Sequence, residues 1–337
     1  MTTTALPTPE RFFDMAFSFQ RTGALKAAID LEVFTAIAEG ADTAAAIAKR
    51  CGATERGTRI LCDYLTICGL LTKDGGRYHL APDAAAFLTK SSPMYLGGTV
   101  AFLASNPVTR NFDNLADTIR RGSVSDDGNT VTGQEQDLWV NFAKAMVPMM
   151  MPAAMGIAEI LQIGSAGPVR ILDIAAGHGM FGIVLAQRNP AARVVAVDWP
   201  GVLAVASQNA QQFGVTDRHQ TLPGDAFQVE YGSGYDVALL TNFLHHFDAA
   251  TCTTLMRKVA AALKPGGKAV ILEFVPNDDR VSPPMAAGFA LTMLAGTPAG
   301  DAYTLGELRR ILEDAGFKGD ISSHGLPTPE TVIVATK

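Results

Sequence analysis

The sequence is poor in the features that would tie it to a metal, a membrane or a nucleic acid. Of its 337 residues four are cysteines, Cys51, Cys62, Cys68 and Cys252. They form no C-x-x-C pair and have no histidine at metal-ligand spacing, so they read as small buried hydrophobes in a reducing compartment, with no metal expected. Charged residues make up 18% of the chain and the formal net charge is -6. Without a dense Lys/Arg block a nucleic-acid surface is not expected, and the partner is a small molecule. Long hydrophobic runs are also missing: the apolar stretches are broken by charge, Gly or Pro well short of a membrane span. The opening MTTTALPTPERFF lacks a signal-type apolar region, so a cytoplasmic protein with no membrane partner is expected.

Apolar residue types, at 48% of the chain, are plentiful enough for sizeable cores, and the length suggests about two domains. The organising stretch is Val169 to Gly182, VRILDIAAGHGMFG, which reads as a buried strand, a tight turn and a helix start. Val169, Ile171, Leu172 and Ile174 are the strand's apolar run, with Asp173 expected near its exposed end. Gly177, Gly179 and Gly182 form G-x-G-x-x-G, which lets backbone turn sharply and approach a ligand at a helix N-terminus. Asp198 closes the next apolar run, RVVAVD, where an acid commonly grips two ribose hydroxyls. That spacing also describes dinucleotide sites. Asp173 tilts the choice: a carboxylate before the glycine turn repels a pyrophosphate but favours the ammonium of an amino acid joined to a nucleoside, as in S-adenosylmethionine.

Residues 1 to about 9 read as a loose tail. Phe12, Phe13, Met15, Ala16, Phe17 and Phe19 are too apolar for an exposed helix and must bury against this core or a second subunit. Three helical patterns follow, at ALKAAIDLEVFTAIAEG, TAAAIAKRCG and ERGTRILCDYLTICGLL. The segment LLTKDGGRYHLA then supplies two strands about Gly75-Gly76, giving a winged helix-turn-helix pattern. The outward face of its third helix carries Glu55, Arg56, Arg59 and Asp63, a mixed set that favours a scaffold over a DNA reader. Residues 91 to 168 read as mostly helical, interrupted by the polar loop RGSVSDDGNTVTG. A Met-rich helix from about Gln134 to Leu161 contains Phe142, Met146, Met149 and Met150, with Pro148 and Pro152 expected to kink or split it. Core and apolar substrate wall stand equally as readings of that Met stripe.

Beyond the glycine turn, strands at RVVAVD, HQTLPGD, YDVALLTNFLHHF and KAVILEFV alternate with helices. ISSHG and ETVIVATK follow as a terminal hairpin. The pattern predicts a mostly parallel sheet with an antiparallel edge pair, and a ligand over the carboxyl ends of the strands.

LDIAAGHG, VVAVD, PGDAF, YDVALLTNFLHHF, LKPGG and AGF, in this order, resemble the class I S-adenosylmethionine-dependent methyltransferases. More narrowly the chain is similar to the O-methyltransferases grouped with the plant caffeate, acetylserotonin and bacterial hydroxyneurosporene enzymes. The resemblance covers nearly the whole chain. It implies an α/β fold: a Rossmann-like seven-stranded methyltransferase sheet over 166–337, an N-terminal all-α winged-helix dimerisation domain over 1–95, and a helical linker over 96–165 lining the substrate pocket. It also implies a homodimer formed through the N-terminal domain and a small-molecule hydroxyl acceptor.

Carried over residue by residue, the resemblance sets Gly177 and Gly179 against the methionine part of the cofactor, beside Asp173. It gives the ribose to Asp198, next to Trp199, and the adenine to Gly224, Asp225, Ala226 and Phe227. Thr241 and Asn242, at the end of the fourth strand, complete the implied cofactor site. His245 falls on the family's base and Glu273 on one of the acids that orient it. The second acid falls on Ala302, a departure for which the adjacent Asp301 is the candidate substitute. Phe142, Met146, Met149, Met150, His246 and Met293 are the candidate acceptor wall, His246 standing where the family has Asp.

The expected reaction is transfer of a methyl group to a hydroxyl of an aromatic or polyketide-like molecule, with His245 as general base. The altered acid pair keeps a second reading open, in which the same cofactor serves C- or N-methylation, hydroxylation or pericyclic catalysis. A ligand-sensing winged-helix regulator and a nicotinamide oxidoreductase are the remaining alternatives. The acidic balance counts against the first and Asp173 with PGDAF against the second.

Overall fold

The computed structural model describes residues 7–124 and 136–337. Most of the expected tail, part of the polar loop and the first residues of the Met-rich helix, Gln134 and Glu135, lie outside the described residues. The chain divides into two compact units, Met1–Ser105 and Asn106–Lys337.

In the first unit α1 (Glu10–Ala16) and α2 (Ser18–Asp30) precede α3 (Val33–Ala38), α4 (Ala44–Cys51) and α5 (Glu55–Ile67). The single helical pattern expected over residues 24–40 is therefore two helices, broken where Glu32 takes the left-handed φ of 57°. The Thr43 side chain accepts the Ala46 N–H and that of Thr54 accepts the Gly57 N–H, so each hydroxyl satisfies an orphan amide at the start of α4 or α5. Strands β1 (Leu71–Asp74) and β2 (Arg77–Leu80) form the wing, turned through Gly75 and Gly76 at φ 51° and 82°. These helices and strands enclose a core that includes Phe34, Ile47, Leu65 and Tyr78. On α5, Asp63 is held by Arg59, Lys73 and the Tyr78 hydroxyl, which neutralises part of the face that a DNA reader would need basic. Phe12, Phe13, Met15, Phe17 and Phe19 are all exposed within the single chain. Helices α6 (Pro82–Phe87) and α7 (Val100–Leu103) end this unit.

The second unit begins with α8 (Asn106–Thr109), α9 (Leu115–Arg121), α10 (Gln136–Ala145) and α11 (Val147–Ile160). The long Met-rich helix is split at Met146, directly before Pro148, while Pro152 is accommodated inside α11. Then come β3 (Arg170–Ile174), α12 (Met180–Arg188), β4 (Arg193–Asp198), α13 (Pro200–Gln212), β5 (His219–Pro223) and β6 (Tyr235–Thr241). They are followed by α14 (Ala249–Ala262), β7 (Leu263–Glu273), α15 (Pro284–Gly296), α16 (Leu305–Asp314), β8 (Ile321–Gly325) and β9 (Thr331–Thr336). The seven strands lie in the order β5-β4-β3-β6-β7-β9-β8, parallel through β7, with β9 antiparallel to both β7 and β8. Helices α10 and α11 pack on α13 and α12, and Ala143 is buried with Val202 and Val205. The segment 106–165 thus joins the sheet's compact unit, whereas the sequence sets residues 96–165 apart as a linker. Among the described residues no helix is long and apolar enough to cross a membrane.

The glycine turn shows why three glycines are needed. Gly177 and Gly179 hold φ of 56° and 74°, which L side chains rarely adopt. Gly182 has ordinary backbone, but a Cβ there would sit 2.7 Å from Val194 Cγ1 and 2.9 Å from Asp173 Oδ2, so its bare Cα lets α12 close onto the sheet. Gly182→Ala is expected to cost about 1–3 kcal/mol through overpacking, read as a lower urea midpoint at unchanged slope. A variant as stable as the parent would show that α12 can retreat freely.

Candidate active site

Strands β3, β6 and β7 end side by side, and the residues that follow them make the site. After β6 the chain enters a short turn, Leu244–His246, that faces the end of β7. Glu273 ties the two together. Its Oε1 accepts the backbone N–H groups of Phe243 at 3.1 Å, Leu244 at 2.8 Å and His245 at 3.3 Å. Its Oε2 lies 2.5 Å from His245 Nδ1. Both residues are buried, His245 at 4% exposure and Glu273 at 2%, so the pair is shielded from water that would weaken it. Since a carboxylate can only accept, Nδ1 carries the hydrogen of that bond, and Nε2 is the ring nitrogen left free of Glu273. Phe289 meets the imidazole edge-on at 4.9 Å and itself stacks on Phe274 at 4.1 Å, fixing the ring plane.

His246 lies against His245, the two imidazole centroids being 4.3 Å apart. Burial, then the neighbouring His245, holds His246 well below the ordinary histidine range, so it is neutral. Its Nδ1 is buried without a partner among the described residues, and Trp139 meets its ring at 5.4 Å. Trp139 also meets Phe142 edge-on at 5.7 Å, so α10 is linked to His246. Met150 on α11 reaches β6 directly, its Sδ accepting the Asn242 Nδ2 hydrogen at 3.4 Å. Met146, Met150 and Met293 are buried and Met149 is half-buried. Among the expected acceptor residues, His246, Met150 and Phe142 are thus linked to the end of β6. Met293 shares α15 with Phe289, while Met146 stands at the break between α10 and α11 and Met149 in the first turn of α11.

On the other side of β3, Asp198 caps the glycine turn: its Oδ2 accepts the Gly177 N–H at 2.8 Å and its Oδ1 that of Trp199 at 2.7 Å. Each oxygen keeps a lone pair for a vicinal diol. Asp225 Oδ1 accepts the Phe227 N–H at 2.8 Å, so Asp225 is a turn residue, and Gly224 preceding it takes φ 139°. Ala226 is buried, and Phe227 packs on Phe247 at 5.0 Å. Thr241 is buried where β6 pairs with β7.

Two expectations are corrected. Asp173 is fully buried rather than near an exposed strand end: Oδ2 accepts the Gly182 N–H at 3.1 Å and Oδ1 has no partner among the described residues. Gly182 is what admits it, because the carboxylate folds into the space a side chain would fill. Asp301 does not take the place of the missing acid. Its Oδ2 lies 3.4 Å from Arg280 and its Oδ1 accepts the N–H of Ala302, while its own N–H donates to the His245 carbonyl. The backbone of Asp301 therefore braces His245, and its carboxylate turns outward. Gly300 explains the close approach, since a Cβ there would meet the His245 carbonyl oxygen at 2.2 Å.

The sequence places Trp139 in the Met-rich stripe and Phe289 in an apolar helix near Ala286 to Leu294 without giving either a role of its own, and it does not single out Gly300 or Arg280. The only available signals were one of two tryptophans set three residues before Phe142 and an aromatic in an otherwise small-residue helix. His178, inside the glycine turn, is also enclosed: burial pushes it down to about 4, and its Nδ1 accepts the Met180 N–H. No group of three or more potential metal ligands occurs among the described residues.

The site offers carboxylates at the glycine turn, the left-handed glycines Gly177 and Gly179, and buried oxygens on Asp173 and Asn242 that have no partner among the described residues. Those donors and acceptors fit a cationic nucleoside with vicinal hydroxyls, and the fold is that of a class I methyltransferase. An O-methyltransferase domain profile matches residues 142–318, and an O-methyltransferase dimerisation domain profile matches 13–90. The chain belongs to this family of S-adenosylmethionine-dependent O-methyltransferases, those that carry an N-terminal dimerisation domain. It is 30% identical over 311 residues to the 3-hydroxy-5-methyl-1-naphthoate 3-O-methyltransferase of Streptomyces sahachiroi, covering 91% of this chain and 89% of that one. It is 29% identical over 324 residues to acetylserotonin O-methyltransferase of Mus musculus, covering 90% and 82%. A crystal structure of a candidate O-methyltransferase of Nostoc punctiforme PCC 73102 superposes with TM-score 0.94 at 45% identity, over 99% of this chain and 100% of that one.

Burial pushes Asp173 up to about 8, a rise that the Asp198 charge adds to and the Gly182 N–H opposes. Burial likewise pushes Asp198 up to about 6, against the N–H groups of Gly177 and Trp199. Both carboxyls hold protons more tightly folded than unfolded, so the ligand-free protein loses stability as pH rises from about 4 towards 8. Asp173→Asn is expected to flatten that decline in melting temperature. The same slope in the variant would remove Asp173 as its source.

Proposed function

We propose that this chain moves a methyl group from S-adenosylmethionine to a hydroxyl of an aromatic or polyketide-like small molecule, working as a homodimer in the cytoplasm. The observation that carries the reading is the buried Glu273–His245 pair beside the glycine turn. The relatives' aromatic acceptors, the Met-lined helices and the free cysteines support the rest. The exposed Phe12, Phe13, Met15, Phe17 and Phe19, within the region matched as a dimerisation domain, support self-association.

When bound, the cofactor supplies an electrophilic methyl on a sulfonium, with a neutral thioether leaving. In this reading Gly177 and Gly179 admit the methionine portion closely, Asp198 with Trp199 holds the ribose, and Gly224, Asp225, Ala226 and Phe227 hold the adenine. Thr241 and Asn242 line the same site. His245 Nε2 takes the acceptor's proton as the oxygen attacks, and Glu273 stabilises the resulting imidazolium through Nδ1. His246 stays neutral beside it, so no second positive charge opposes that proton. Phe142, Met146, Met149, Met150 and Met293 form an adaptable apolar wall that excludes water and aligns the acceptor.

Two measurements check this reading. Calorimetric titration with S-adenosylhomocysteine is expected to give micromolar saturable binding while NADH gives none; the reverse pattern would sink the cofactor assignment. His245→Gln is expected to keep that binding and to lower turnover by about 10²–10⁴-fold on a verified acceptor. Unchanged turnover would strip His245 of its role, and a methyl found on carbon or nitrogen of the product would replace O-methylation by the alternative chemistry.

A further inference from the structure

Asn242 is placed and held in a way that the reactions of the base do not explain. It follows the last residue of β6, the central strand between the glycine turn on β3 and Glu273 on β7, three residues before His245. Its φ is 54°, a left-handed conformation that a side chain resists, and its N–H is pinned to the Leu272 carbonyl at 2.8 Å. The carboxamide is oriented as well: Nδ2 is spent on the Met150 thioether at 3.4 Å, which directs Oδ1 the other way. That oxygen is buried and has no donor among the described residues. A buried carbonyl oxygen in this state calls for a positively polarised hydrogen from a bound group or an ordered water.

We propose that Asn242 is a positioning residue for the transferred methyl group, its Oδ1 accepting the polarised methyl C–H bonds of S-adenosylmethionine. The inference rests on the cofactor reading above. An acceptor hydroxyl has one proton, and His245 Nε2 claims it; an oxygen competing for that proton would oppose the base. Carbon-bound hydrogens on a methyl next to a sulfonium are acidic enough for C–H···O contacts and make no demand on His245. Because the charge on the methyl persists through in-line transfer, an oxygen fixed beside it restricts the methyl to the direction of attack. Met150 has a part in this: without its sulfur the carboxamide can turn over and present Nδ2, a donor that repels the same group.

The product lacks the methyl, which gives a test independent of turnover. Dissociation constants of S-adenosylmethionine and S-adenosylhomocysteine are measured by calorimetry for the parent, Asn242→Gly and Asn242→Asp. Glycine keeps the left-handed backbone without the oxygen, and aspartate keeps an oxygen in the same place. Asn242→Gly is expected to weaken S-adenosylmethionine by about 2- to 5-fold while leaving S-adenosylhomocysteine unchanged, and Asn242→Asp to restore the preference. Equal weakening of both ligands, or no change in either with only the acceptor KM raised, would overturn the assignment. Failure of the parent to bind S-adenosylhomocysteine at all would instead overturn the cofactor reading.

Discussion

One carboxylate organises the catalytic end of this molecule. Glu273 stands at the last position of β7 and gathers three consecutive backbone amides of the turn after β6, as well as the ring nitrogen of the residue that the turn presents. A buried charge is costly unless its lone pairs are filled, and here each oxygen is. The turn therefore has one low-energy path across the strand ends, and the imidazole has one tautomer. The Phe274–Phe289 stack, the Gly300 approach and the Asp301 amide act on a geometry that this carboxylate has already chosen.

That dependence explains how the family pattern tolerates the loss of its second acid. With Ala302 in place of a carboxylate and Asp301 drawn to Arg280, orientation of the His245 ring falls to Glu273 and to packing by Phe289 and His246. A neutral second imidazole is compatible with this arrangement, because it adds surface against the base without adding charge.

The sheet was legible because its residues obey short-range rules. Ile171, Leu172 and Ile174 read as a buried strand, Gly177 and Gly179 as a sharp turn, and the capped starts at Thr43 and Thr54 as helix beginnings. The burial of Asp173 was not legible, since it depends on the absence of a side chain nine residues later at Gly182. The direction of Asp301 is set by Arg280, on a loop whose course no local pattern specifies. The reach of Trp139 to His246 and of Met150 to Asn242 needs helices α10 and α11 to be laid over strands some ninety residues away, and composition alone reads them equally as core.

Helix α11 also has a consequence for how such a chain can change over time. In the proposed reading the groups that handle the proton hang from strand ends and are fixed by backbone amides. The acceptor would then meet mostly unbranched thioethers on α11 and its neighbours, which refill space when one of them is exchanged. Inherited variation can thus redraw the repertoire of acceptors while the chemistry stays intact, and lineages that share this base can diverge in diet before they diverge in mechanism.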